Sequence, residues 1–166
     1  MALTGDIHYE RYGAGDTSQP LVQPLGGSVT VYRGSIALTG SDGNVKNASS
    51  PASTDTCWGI IAGYGPGVAD TVPGVINSSS VASAVQAMIY QGAFFLASGS
   101  GSDQLSQSSV GSKVYVINEY TVGLTSGGGN RPVAGVLIAI SGETRVQAPG
   151  NYAVALGSTQ VGTGVA

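Results

Sequence analysis

The chain has 166 residues and a net charge of −3, with 42% hydrophobic residues, only 9% charged ones, 27 glycines and 21 serines. That is the length of one ordinary domain, and its apolar residues come in runs of Val, Ile, Leu and Tyr, which excludes the diluted composition of a disordered chain. The six Lys and Arg stand far apart at 11, 33, 46, 113, 131 and 145, so no basic row is available to a phosphate backbone and nucleic acid is not an expected partner.

Residues 1–27 carry Pro20, Pro24 and several glycines without a sustained period, and read as an extended N-terminal arm. The segment lacks both a basic stretch and the apolar core of a leader, and no run approaches the roughly 18 apolar residues of a membrane helix. A soluble chain without a membrane partner is expected.

From Ser28 the pattern changes to SVTVYRGSIALTG, with Val29, Val31, Ile36 and Leu38 alternating on either side of Gly34. This predicts two short strands with a bend at that glycine. SDGN at 41–44 is an Asp-Gly turn that closes a hairpin, with Val45 starting the return. After the polar loop 47–56, CWGIIAGY predicts another strand, and the Gly/Pro-rich stretch 65–80 reads as a long excursion outside the packed body. In 81–98, Val81, Ala84, Val85 and Met88 fit a helical stripe, while Val85, Ala87, Ile89, Phe94 and Leu96 fit alternation. The β-branched and aromatic residues, together with Gly92, favour strand. KVYVINEYTVGL, RPVAGVLIAI and TRVQA supply the last strands. The whole predicts an all-β fold, a small antiparallel barrel or sandwich of roughly seven strands. Its body would span 28–147, followed by a C-terminal tail over 148–166. The segments 27–44 and 111–130 echo each other, with Leu38-Thr39 against Leu124-Thr125 and Gly43-Asn44 against Gly129-Asn130. The echo supports hairpins more than duplication.

Catalytic chemistry finds little footing. His8 is the only histidine and lies in the arm, away from the rigid scaffold that a nucleophile's base requires. Cys57, the only cysteine, stands in an apolar Trp-Gly-Ile-Ile run and reads as a buried, inert sulfur. The nine carboxylates form no metal-binding spacing, and Asp42 and Asp55 fit turn chemistry. A hydrolase would have to use distant carboxylates such as Asp70, Asp103 and Glu119. GPG at 65–67 and GGG at 127–129 lack the lysine of a phosphate loop. A non-enzymatic protein without metal or cofactor is therefore expected. Tyrosines recur through strands and loops, suiting sheet packing and interfaces alike.

GSVTVYRGSIALTGSDGNV at 27–45, WGIIAG at 58–63, QGAFFL at 91–96, GSKVYVINEYTVGLTS at 111–126 and RPVAGVLIAI at 131–140 occur in an order that resembles the capsid decoration, or cement, proteins of tailed bacteriophages. The resemblance implies a small β-tulip-like barrel that binds the outer surface of the major capsid protein lattice and stabilises the phage head, as a homo-oligomer with a trimer favoured. It also implies assembly in the host cytoplasm, residence in the virion and no catalytic residues. The excursion at 64–83 and both tails are longer than the compact family pattern. Those tails are the expected grips, which puts forward His8, Tyr9, Arg11, Tyr12 and Tyr152 as partner-contacting residues. The alternative is a carbohydrate-binding or adhesive β-module of a fibre or receptor-binding domain, for which exposed aromatics on one face would be the mark.

Overall fold

Branched and aromatic residues pack well on a pleated surface, and Gly, Ser and Asp supply the turns between short runs of them. The computed structural model describes residues 5–6, 20–66, 73–141 and 152–157, and among these the protein is all-β, with short strands, two single 3-10 turns and no α-helix.

A five-stranded antiparallel sheet is built from β1 (Leu21–Pro24), β3 (Ile36–Thr39), β4 (Val45–Lys46), β5 (Thr56–Tyr64) and β7 (Gln86–Tyr90), in the order β1-β7-β5-β3-β4. The strands β2 (Val29–Val31) and β6 (Val75–Asn77) pair antiparallel as a separate ribbon. A closed barrel holds β8 (Ala93–Ser98), β9 (Lys113–Val116), β10 (Thr121–Gly123), β11 (Val133–Ile140) and β12 (Tyr152–Leu156), in the order β10-β8-β12-β11-β9. Every barrel pairing is antiparallel except the short parallel seam between β8 and β10. Closure removes the exposed strand edges of that sheet.

The five-stranded sheet serves two cores at once. Ile36, Leu38, Cys57 and Ile60 join Phe94, Leu96, Val114, Val116, Leu137 and Val154 of the barrel in the larger cluster. Ala37, Ile61, Ala87 and Ile89 face the opposite way, under Val31 and Val75 of the ribbon. Neighbours on one strand thus serve opposite faces, as the two-residue period requires. Register shifts between Ala37 and Leu38 and between Ile61 and Gly63 show the sheet bending as it does so. Fully burying an aliphatic or Phe side chain contributes about 1.5–3 kcal/mol, so these two clusters carry most of the driving force.

The Asp-Gly hairpin is present where expected. Gly40 N–H donates to the Asn44 carbonyl at 3.0 Å, Gly43 has φ +77°, and Asp42 Oδ1 accepts the Asn44 N–H at 3.1 Å. Gly34, at φ +82°, is the bend between β2 and β3. Other segments divide or move. Within 81–98, residues 81–85 form a turn and the strand begins at Gln86; it breaks at Gln91-Gly92, and the two strands enter different sheets. Part of the expected arm is body, since β1 is an edge strand on β7 and Leu25 is fully buried. Part of the expected tail is likewise β12, the barrel strand between β8 and β11. The 65–80 excursion contains β6, whose Val75 and Asn77 are buried. TRVQA at 144–148 lies outside the described residues. The echoing segments are used differently, because β9 pairs with β10 whereas β2 pairs with β6 and not with β3.

Candidate functional site

Charged groups are scarce, and among the described residues several of them meet in three junctions. Three of the four described cations, Arg33, Lys46 and Arg131, are ion-paired. Lys46 Nζ, on the edge strand β4, donates to Asp55 Oδ2 at 2.9 Å, and the same oxygen accepts the Ala52 N–H at 2.7 Å. That pair ties the 47–55 loop back onto its own hairpin.

A second junction gathers the ends of three barrel strands. Asp103 closes the 3-10 turn that follows β8. Its Oδ1 accepts the Thr125 hydroxyl at 2.6 Å and the Thr125 N–H at 3.1 Å, just beyond β10. Its Oδ2 accepts Arg131 Nη1 at 2.8 Å, two residues before β11. Burial alone would raise the Asp103 pKa, but the Thr125 and Arg131 hydrogen bonds and the guanidinium charge outweigh it and hold the carboxyl below its ordinary value. The three donors meet where the parallel seam of the barrel closes with only two residue pairs, Thr121 with Ala97 and Val122 with Ser98.

The third junction brings the N-terminal region to the body. Asp6 accepts hydrogen bonds from Arg33 N–H at 2.9 Å, Arg33 Nη1 at 2.5 Å and Gly74 N–H at 2.8 Å.

Of the carboxylates a hydrolase would need, Asp103 is engaged in its clamp, and Glu119 is 1% exposed on the β9–β10 turn, with its carbonyl accepting the Ile36 N–H at 2.6 Å. Asp70 lies outside the described residues. Among the described residues, no group of three or more His, Cys, Asp or Glu comes together to hold a metal ion. A shallow cleft of about 240 Å³ opens at one end of β5 and β7, lined by Tyr64, Pro66, Ser83, Val85 and Gln86, with Ser83 in the left-handed region at φ +70°. Cys57 is buried, and desolvation pushes its thiol up to about 12.

Among the residues expected to contact a partner, His8, Tyr9, Arg11 and Tyr12 lie outside the described residues. Tyr152 opens β12 opposite Leu96 and Ile140, where it is partly buried against the larger core. The described aromatics are all buried or half-buried, and the exposed large apolar side chains are Ile76, Val81, Val110 and Ile138. Sequence reasoning did not find the Asp6 and Asp103 junctions, whose partners are 27, 68, 22 and 28 residues away and carry no local pattern.

Geometry defines the class: an all-β protein in which a closed five-stranded barrel and a small ribbon cover the two faces of one sheet. Comparison with protein-family models, with curated proteins and with solved structures finds no match to this chain.

Proposed function

We propose that this chain is a virion structural protein, a decoration protein that binds the outer surface of a tailed-phage capsid lattice and stabilises the head. The observation that supports the reading is where the resembling motifs fall. GSVTVYRGSIALTGSDGNV and WGIIAG supply β2 to β5, QGAFFL supplies most of β8, and GSKVYVINEYTVGLTS with RPVAGVLIAI supply β9 to β11. The resemblance therefore concerns the framework of the body rather than scattered loops.

Physical reasoning favours the same role. A lattice repeats one surface hundreds of times, so a rigid oligomer touching several subunits at once gains avidity from individually modest contacts. Two cores on one sheet and a closed barrel supply rigidity, and a body whose described cations are mostly paired internally leaves association to shape and neutral hydrogen bonds. The sugar-binding alternative calls for aromatics on an open face, and the described aromatics are turned inward or half-covered.

The test is to add purified protein to capsids lacking their decoration. Saturable binding at a fixed copy number, with a rise of several degrees in the temperature of capsid disruption, is the expected result, and light scattering of the free protein should give a homo-oligomer of three copies. Absence of saturable binding overturns the proposal, and binding to a glycan array in its place would favour the adhesive module.

A further inference from the structure

One end of the β2–β6 ribbon gathers hydrogen-bond donors onto a single carboxylate, that of Asp6. Val31 pairs with Val75, so the residues just after β2 and just before β6 lie side by side at one end of the ribbon. Gly74 immediately precedes β6 and Arg33 lies two residues beyond β2, and their N–H groups converge on one carboxylate oxygen while Arg33 Nη1 reaches the other. Gly74 has φ +81°, and a Cβ there would come within 3.1 Å of the Val31 carbonyl and 3.2 Å of the Tyr32 ring. The glycine is what lets the N–H approach this point. The seat is partly sheltered, with side-chain exposures of 18% for Arg33 and 29% for Asp6.

We propose that this end of the ribbon is a carboxylate-binding site, filled in cis by Asp6, that accepts a free carboxylate or an acidic side chain once Asp6 is withdrawn. Two amide donors and a guanidinium N–H match the two oxygens and single charge of a carboxylate, and charge-assisted hydrogen bonds of this kind are about twice as strong as neutral ones. Asp6 stands 27 and 68 residues from its partners, so the contact is a tertiary one between the N-terminal region and the ribbon. The inference rests on this geometry and is independent of capsid binding.

Full-length Asp6→Ala, isotope-labelled, is titrated with sodium acetate and, at matched ionic strength, with sodium chloride, following the Arg33 and Gly74 amide resonances. Acetate should shift both amides saturably, with half-saturation at roughly 10–100 mM, and should recover part of a lowered melting temperature, whereas chloride does neither. The wild type, its seat already filled, should show no such shifts. Arg33→Lys in the Asp6→Ala background keeps the charge and the backbone donor but loses the planar fork, and should bind acetate several-fold more weakly. Absent shifts, or equal shifts in Asp6→Ala and wild type, overturn the proposal. Should Asp6→Ala fail to fold, Asp6→Asn preserves the side-chain shape, and an unchanged melting temperature in that variant also overturns it, because the site would then not distinguish charge.

Discussion

At the scale of single residues, Asp103 has the clearest energetic role. Its lowered pKa means that the folded protein holds the charged form more firmly than the unfolded chain does. The stabilisation is therefore complete above the ordinary value of 3.8 and is lost as pH falls through the lower native value. Asp103→Asn should lose about 1–2 kcal/mol in urea unfolding at pH 7, from weakened hydrogen bonds to Thr125 and Arg131. That difference from the wild type should shrink as the pH is taken below about 4. Cys57 supplies a second test. With its thiol raised to about 12 and buried in the larger core, it should stay silent toward a maleimide at pH 8 in the native protein and react fully in denaturant. The environment of Cys57 was legible in the sequence because its strand neighbours, Trp58, Ile60 and Ile61, announce a core. The Asp103 clamp was not, since its partners sit on separate loops and meet only once the barrel has closed.

Between residues and the whole lie the strands, and here legibility tracks how local the cause is. The 41–44 hairpin follows from Asp42 and Gly43 alone, so sequence suffices. β12 is YAVAL, a short run with two alanines, which are poor strand formers, and its identity comes from pairing with β8 on one side and β11 on the other. Such pairing is invisible in a linear pattern. β6 is a three-residue run hidden behind Gly and Pro, and β1 ends in Pro24, which an edge strand tolerates. A consequence can be measured. Ending the chain after Gln147 removes β12 and opens the barrel between β8 and β11, so this variant should lose its cooperative thermal transition. Deleting residues 2–20 removes the Asp6 contact but spares β1 and Leu25, and should leave a folded body with a cooperative transition at a lower temperature. Circular dichroism during heating separates the two outcomes.

For the molecule as a whole, the all-β class was readable from composition and alternation, whereas the arrangement of a sheet between a barrel and a ribbon was not, because it depends on which face each strand turns to which partner. The pairings are distant in sequence: β1 joins β7, and β8 joins β12. Refolding from denaturant should accordingly fall in the millisecond-to-second range typical of non-local β topologies, a rate that stopped-flow Trp58 fluorescence would read. The division between the sheets also has a temporal side. Every strand of the five-stranded sheet lies before residue 91 and every strand of the barrel after residue 92. On the ribosome, the face bearing Ile36, Leu38 and Ile60 is complete while the barrel that will cover it is still being made, and at about 5–20 residues per second that interval lasts several seconds. During translation the nascent chain thus displays a broad apolar surface, an opening for a chaperone or for a neighbouring nascent copy.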